Sequence, residues 1–297
     1  MRKTQGLAME QKRWKTGSVE GFESYWRTIE PRLRKRYSEG ETLGYHEYIT
    51  YLGNTLVEEY IQQDGPGLSV ELGCGRADTS LFLAKRGWQP ALLDISQTAL
   101  ELAKSNFSEE KASCVLTRAD LLSAPFREHS FHLVMSFGVL EHFEDPVRPL
   151  REMVRILKPG GTLCNSVVYT NRVNFQTVVD WLYHIPGTIV KHGALRRDPA
   201  KARQMVALWR GQTFFENNLC MEEYVTAMKR LGLIEIQVIP CATIPALSLT
   251  RPLEVCYIQG LKAFCAIKRR VTGRHPLKAL FGGRRAWYLF GQKPAVG

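Results

Sequence analysis

The chain has 297 residues, of which 44% are hydrophobic and 23% charged, so it is a globular protein long enough to bury a full core. Its net charge of +11 is unevenly placed, because residues 1–170 carry 21 Lys and Arg against 22 Asp and Glu, whereas residues 241–297 carry 10 against 1. A protein that binds nucleic acid over its whole surface would carry its positive charge more evenly. A negatively charged partner is therefore expected only at the C-terminal region.

The cysteines and the N-terminus indicate the compartment. Seven cysteines, an odd number with no C-x-x-C pair, are typical of a reduced protein rather than a disulfide framework. The first 13 residues are polar and contain no apolar signal segment, and no apolar run is long enough to span a bilayer. We therefore expect a cytosolic protein, with peripheral membrane contact left open.

The elements are predicted in chain order from apolar periodicity. Residues 18–62 have helical spacing, and the break at 64–67 divides an N-terminal helical segment, 1–64, from a main domain, 65–297. In the main domain short apolar runs alternate with helical patterns. The predicted strands are Leu68–Leu72, Ala91–Leu93, Ser113–Thr117, Phe131–Ser136, Thr162–Tyr169, Leu233–Ile239 and Ala286–Gly291, and the predicted helices are Thr79–Arg86, Ser96–Phe107, Pro146–Leu157 and Met221–Leu231.

This alternation predicts an α/β fold with a doubly wound, mostly parallel, seven-stranded sheet. The run Lys158–Gly161, KPGG, is predicted to end a helix and turn the chain into the next strand. Two segments, 170–218 and 241–284, are too long for simple connectors. We expect these two insertions and the N-terminal helices to form a lid over the sheet edge.

The stretch LSVELGCGRADTS, residues 68–80, places two glycines where the first strand turns toward a helix. A dinucleotide site would have a third glycine at the position of Asp78, where a carboxylate would face a pyrophosphate. A P-loop would need a final G-K-[ST], which is missing. The turn therefore does not fit NAD, FAD or a nucleoside triphosphate.

With ELGCG at 71–75, ALLDIS, TRADLL, FHLVMSFGVLEHFEDP and LKPGGTL in this order, the chain resembles class I S-adenosylmethionine-dependent methyltransferases. The resemblance covers about 68–169 and resumes at 221–239 and 286–291, and it is closest to the broad group of ubiquinone and menaquinone methyltransferases. It implies a Rossmann-like fold with S-adenosylmethionine as cofactor. Ala77 replaces the third glycine of the family motif, and we expect a helical backbone there that tolerates the methyl group.

The expected cofactor site follows the ends of the strands. The glycines let the backbone approach the cofactor closely, Glu71 meets the ammonium of its methionine part, and Asp94 reaches the ribose hydroxyls. The side chain of Cys74 also reads as a small packing residue, and Phe137 equally as core. The resemblance implies that an acid receives the adenine amino group. The expected cofactor-binding residues are Glu71, Gly73, Cys74, Gly75, Asp94, Ile95, Asp120, Leu121 and Phe137.

His142 is the candidate general base, since imidazole titrates near neutrality and this residue follows the fourth strand. The alternative is that its dipeptide with Glu141 is a family feature without a chemical role. No histidine, cysteine or carboxylate cluster has metal-ligand spacing, so no metal is expected.

The acceptor is expected to be a small, partly apolar molecule, with O-methylation favoured over C- or N-methylation. Aromatic residues and amides within 170–218 suit such a pocket or an ordinary packed lid. Two alternatives stay open: methylation of RNA or another polyanion by way of the basic C-terminal region, and a non-catalytic cofactor-binding scaffold. A nucleic-acid partner is disfavoured because no RNA-binding module is present, and the oligomeric state is not indicated.

The second insertion contains an amphipathic helix. Residues 252–270 place Leu253, Tyr257, Leu261 and Phe264 on one stripe, followed by several Lys and Arg. This pattern favours either contact of residues 252–285 with a membrane surface or an amphipathic lid whose charges are solvated.

Overall fold

A computed structural model describes residues 19–28, 44–61, 65–168, 216–217, 219–242, 244, 247, 249, 251–278 and 284–295. Within these ranges one seven-stranded sheet has the order β3-β2-β1-β4-β5-β7-β6, in which β7 runs antiparallel to both neighbours and the other pairs are parallel. The predicted fold class is confirmed. The strands are β1 Leu68–Leu72, β2 Gln89–Asp94, β3 Val115–Arg118, β4 Phe131–Phe137, β5 Leu157–Val168, β6 Ile234–Ala242 and β7 Arg284–Gln292.

Seven α-helices are described in the same ranges, and the first two belong to the N-terminal segment. They are α1 Val19–Thr28, α2 Tyr45–Tyr60, α3 Asp78–Ala84, α4 Gln97–Glu109, α5 Val147–Ile156, α6 Met221–Arg230 and α7 Arg251–Thr272. The Ser96 hydroxyl caps α4 by accepting from Ala99 N at 3.2 Å, as its position before an apolar periodic run predicts.

Both faces of the sheet are buried, as expected for a parallel sheet with crossover helices. On one face Val134 of β4 packs in a core with Met153 of α5 and Tyr224 of α6. On the other face Met135 packs in a core shared with α2 and α7. Because successive β4 residues alternate between these two apolar cores, neither face of the sheet is open to polar groups. They collect instead at the carboxyl ends of the strands.

The prediction that KPGG ends a helix is confirmed, because α5 ends at Ile156, but the predicted turn is wrong. Residues 157–161 are the start of β5, and the ladder with β4 shifts its register between Phe131 and Leu133. The backbone of Gly160 donates to Lys293 O at 2.8 Å, and Lys293 N donates to Gly161 O at 3.0 Å. Pairing with the chain beyond β7 therefore keeps this glycine pair in the sheet, which local turn chemistry does not reveal.

The two insertions differ in what is described of them. Of 170–218, only Glu216 and Asn217 lie inside the described residues, so the expected aromatic pocket falls outside them. The helix expected at 252–270 is present as α7. Among the described residues, no helix is long and apolar enough to cross a membrane.

Candidate functional site

The glycine turn between β1 and α3 is held against the end of β2. Gly73 N and Cys74 N both donate to Leu93 O, at 2.8 and 3.0 Å. Gly75 N donates to Asp94 Oδ2 at 2.9 Å, and Ser96 N donates to Asp94 Oδ1 at 2.9 Å. The Asp94 carboxylate thus joins the turn to the loop that follows β2, and it is already oriented by two backbone donors.

Glu71 lies at the end of β1 beneath the same turn and is buried. Its Oε2 accepts hydrogen bonds from Ser80 N at 3.1 Å and from Ser80 Oγ at 2.5 Å. Burial raises the pKa of the Glu71 carboxyl to about 8, in spite of these two hydrogen bonds. The neighbouring charges of Asp78 and Asp94 contribute to this rise, so the protonated form of the Glu71 carboxyl is favoured at neutral pH.

The ends of β2 and β3 bring the next group of predicted residues to the same edge. Asp94 O accepts from Ala119 N at 3.2 Å, which places Asp120 beside the loop that carries Ile95. The Asp120 side chain is exposed and accepts from Leu122 N at 2.9 Å, at the start of a short 3₁₀ helix that begins with the buried Leu121. This acid at the edge of the site is accessible to a ligand.

The end of β4 supplies Phe137 and His142. The Phe137 ring lies 6.1 Å from the Tyr288 ring of β7, between centroids. Val139 in the following loop packs on the turn, since a Cβ added at Gly73 would lie 2.6 Å from its Cγ2. A short 3₁₀ helix, 140–142, then presents His142, whose ring makes an edge contact of 5.5 Å with the Phe22 ring of α1. All ten predicted site residues therefore lie on the loops or strand ends at one edge of the sheet.

Helix α1 covers this edge, a contribution that sequence reasoning described only in general terms. A Cβ added at Gly75, where φ is +51°, would lie 2.6 Å from the Trp26 indole. Glu23 of α1 accepts hydrogen bonds from Ser96 Oγ at 2.7 Å, from Thr98 N at 3.4 Å and from the Thr98 hydroxyl. Burial alone would raise the pKa of Glu23, but these hydrogen bonds lower it to about 2. No sequence pattern near Glu23 predicts that its carboxylate would bind the start of α4.

The expectation of a helical backbone at Ala77 is wrong. Ala77 precedes α3 with φ 55° and ψ 38°, the left-handed region that favours glycine. The position keeps the glycine conformation of the family motif although it carries a methyl group. That methyl is buried in a core with Leu81 and Leu100, which compensates for the strained backbone.

A further residue at this edge, Glu141, was noted in the sequence only as the neighbour of His142. Its side chain is buried and accepts from Val168 N at 3.1 Å through Oε1, while Oε2 has no hydrogen-bond partner among the described residues. Burial raises the pKa of Glu141 to about 7. Its carboxyl fixes the loop after β4 to the end of β5 and thereby positions the segment that presents His142.

Residues 70–165 match the family model described as a methyltransferase domain. This range contains the glycine turn, both strand-end acids and the loop after β4. This part of the chain, residues 70–165, is a methyltransferase domain. Similar curated proteins are the probable tRNA methyltransferase 9B of Bos taurus, 32% identical over 112 residues, and the ubiquinone biosynthesis O-methyltransferase of Coxiella burnetii strain Dugway 5J108-111, 28% identical over 131 residues.

These alignments cover only part of each protein. They span 36% of this chain and 23% of the tRNA methyltransferase, and 44% of this chain and 53% of the O-methyltransferase. The fold is also that of the [4+2]-cyclase SpnF, with a TM-score of 0.51 and 16% identity over 88% of this chain and 86% of the cyclase. A methyltransferase of Thermotoga maritima, described as a possible histamine N-methyltransferase, has a TM-score of 0.50 and 17% identity over 84% of this chain and 90% of its own.

S-adenosylmethionine is the cofactor of this class of domain, and the residues of the site fit it. The cofactor is a sulfonium cation with an ammonium group, whereas the turn gathers the carboxyl groups of Glu71, Asp78 and Asp94. The carboxyl of Asp78 is paired with Arg76 at 2.5 Å, and burial raises the pKa values of Asp78 and Asp94. A bound cation would favour the ionised form of Glu71, so the charge of the site is complementary to this cofactor. Within the described ranges no cluster of side chains could hold a metal ion.

Proposed function

We propose that this protein transfers the methyl group of S-adenosylmethionine to a hydroxyl group of a small, partly apolar acceptor. The observation that carries the proposal is the convergence of the glycine turn, Glu71, Asp94 and Asp120 beneath the aromatic residues of α1. The name of the similar Coxiella burnetii protein, an O-methyltransferase, supports oxygen as the attacked atom.

The chain's own residues divide the work of binding. Gly73 and Gly75 let Val139 and the Trp26 indole approach the turn closely, and Asp94 offers its oriented carboxylate to the ribose hydroxyls. Ile95 and Leu121 bound the adenine site, with Asp120 available to the adenine amino group. Trp26 and Phe22 cover the reacting centre and exclude water from it.

The bound cofactor supplies a methyl group on a positively charged sulfur, which is an activated carbon. The protein then holds the acceptor oxygen in line with that carbon, and much of the acceleration comes from this positioning. A ring nitrogen of His142 takes the proton of the acceptor hydroxyl. Glu141 holds the loop that carries this histidine, as its hydrogen bond to Val168 N requires.

Replacement of His142 tests the assignment of the base. His142→Gln is expected to lower kcat by about 10²- to 10⁴-fold while S-adenosylmethionine affinity stays the same, since general-base catalysis contributes factors of this size. His129→Gln is the matched control, because His129 lies before the start of β4, at the opposite edge of the sheet. Equal turnover in the wild type and His142→Gln would show that His142 is not the general base and that positioning of the acceptor accounts for the rate.

Transfer of a labelled methyl group identifies the acceptor class. Incubation of the protein with methyl-labelled S-adenosylmethionine and a cell extract separated into lipid-soluble, water-soluble small-molecule and RNA fractions should place the label in a small-molecule fraction. Label that is stable to base and is recovered in the methyl ether of a hydroxyl compound would support O-methylation. Label confined to RNA would overturn the proposed acceptor.

A second candidate function is methylation of tRNA, favoured by the name of the Bos taurus relative and by the basic C-terminal region. Affinity for tRNA that falls steeply with salt, together with methyl transfer to it, would support this function. Transfer to small molecules without tRNA binding at low salt would exclude it.

A non-catalytic scaffold that only binds the cofactor is the third reading. The similarity to a [4+2]-cyclase illustrates that this fold alone does not name a reaction. Calorimetric binding of S-adenosylmethionine without transfer to any acceptor fraction would favour a cofactor sensor, and detectable transfer would exclude it.

A further inference from the structure

Helix α7 has two faces of different character, and this division corrects the single stripe expected from the sequence. Tyr257 and Leu261 of that stripe face inward, where Tyr257 stacks on Tyr45 of α2 at 6.3 Å between ring centroids and Leu261 packs on the core. Leu253 and Phe264, by contrast, are 57% and 60% exposed. The apolar residues therefore serve two separate surfaces.

The inward face fixes how α7 is oriented. Ile258 and Cys265 are buried in the core that α7 shares with α2. The ammonium group of Lys268, also on this face, donates to Pro276 O at 2.6 Å and Lys278 O at 2.7 Å, which ties the end of the helix to the turn that follows. Because α7 docks through this one side, its other side stays outside the core.

The outward face is apolar along the whole helix. Positions within an arc of about 100° at 3.6 residues per turn carry no charged side chain. They are Leu253, Cys256, Gly260, Ala263, Phe264, Ile267 and Val271. Phe264, Ile267 and Val271 are 60%, 62% and 77% exposed, so the second half of the helix presents a continuous apolar surface to solvent.

Exposed cations collect at the C-terminal end of this surface. Arg269 and Arg270 at the end of α7 and Arg274 just beyond it are exposed. The one acidic residue of the C-terminal region, Glu254, faces inward and accepts from Tyr45 N at 3.2 Å. An apolar stripe with arginines at its C-terminal end, and with the acid turned away, is complementary to the boundary between acyl chains and anionic headgroups.

We propose that the outward face of α7 binds the surface of an anionic lipid bilayer, with Phe264, Ile267 and Val271 inserted at the acyl boundary and the arginines on the headgroups. The helix lies in the plane of the interface and does not cross the membrane. A polyanion such as RNA would engage the arginines but would leave the apolar stripe in water, and so it satisfies only half of the surface. This inference goes beyond the proposed reaction and does not depend on it.

Co-sedimentation with lipid vesicles tests the proposal on the full chain. The protein should sediment with vesicles of phosphatidylglycerol and phosphatidylcholine at low salt, and weakly or not at all with phosphatidylcholine alone. The combined variant Phe264→Asp, Ile267→Asp should lower the partition coefficient at least about tenfold. The combined variant Arg269→Gln, Arg270→Gln, Arg274→Gln should lower it on the order of a hundredfold, about fivefold per charge.

Two matched controls separate the proposed face from general effects. Val115→Asp introduces a charge at an apolar residue that is 64% exposed on β3, and Lys104→Gln, Arg148→Gln, Arg151→Gln removes the same charge from exposed positions elsewhere. Both should bind anionic vesicles like the wild type. S-adenosylmethionine affinity of every variant reports separately on the methyltransferase domain, so a failed binding site and a failed membrane surface are distinguishable.

Three results would overturn the proposal. The first is no co-sedimentation with anionic vesicles at low salt. The second is full binding by the Phe264→Asp, Ile267→Asp variant, which would mean that charge alone attracts the protein to any polyanion, tRNA included. The third is a dimer in sedimentation velocity that this variant abolishes while vesicle binding is missing, since the face would then belong to a second copy of the chain.

Discussion

The contact between the Trp26 indole and the glycine turn predicts the effect of Gly75→Ala. Left-handed φ costs a residue with a Cβ about 1–2 kcal/mol, and overpacking against the indole at 2.6 Å costs about 1–3 kcal/mol. The lower entropy of the unfolded chain returns about 0.4–1 kcal/mol. Gly75→Ala should therefore lower the free energy of unfolding by about 1–5 kcal/mol, as measured by urea denaturation.

A double-mutant cycle isolates the contribution of the indole. In a Trp26→Ala background the space above Gly75 is open, so Gly75→Ala should there cost only the backbone strain, and the two substitutions should couple by about 1–3 kcal/mol. Gly232→Ala is the matched control, because Gly232 has φ +81° and nothing within 4 Å of an added Cβ. An equal penalty for Gly75→Ala with and without Trp26 would refute the placement of α1 over the turn.

Three further substitutions test the charges and the backbone of the site. For Glu71 the folded pKa of about 8 exceeds the ordinary 4.5, so its carboxyl contributes stability that is lost as pH rises from about 4.5 to 8, and urea denaturation of Glu71→Gln should lack this fall. For Glu23 the folded pKa of about 2 lies below 4.5, so its anchor persists at neutral pH, and Glu23→Gln should make α1 about tenfold more sensitive to trypsin. Ala77→Gly should change the free energy of unfolding by less than about 1 kcal/mol. Glycine relieves about 1–2 kcal/mol of backbone strain, but the higher entropy of the unfolded chain and the loss of a buried methyl group offset this gain. A loss of stability above about 2 kcal/mol would contradict the left-handed backbone at this position.

The sequence predicted the sheet well because apolar runs between turn residues are a local signal. Leu68–Leu72 has the predicted bounds, and β4 and β7 differ from their predictions by only one or two residues at an end. The strand-end acids were also accessible, since parallel strands place their carboxyl ends at one edge. These features depend on residues that are neighbours in the chain.

The failures concern contacts between residues distant in the chain. KPGG reads locally as a turn, yet Gly160 pairs with Lys293 and continues β5. The stripe on α7 is amphipathic in sequence, but only docking against α2 decides that Tyr257 faces inward and Phe264 outward. In the same way, nothing near Glu23 indicates that its carboxylate would cap the start of α4.

The most direct test of the account is isothermal titration calorimetry of the full chain with S-adenosylmethionine and S-adenosylhomocysteine. The account predicts one site per chain for each ligand, and a loss of affinity of at least about tenfold in Asp94→Asn, whose carboxylate receives Gly75 N and Ser96 N at the centre of the site. Glu101→Gln, an exposed acid on α4, should bind like the wild type. No binding of either ligand by the wild type, or equal binding by Asp94→Asn, would contradict it.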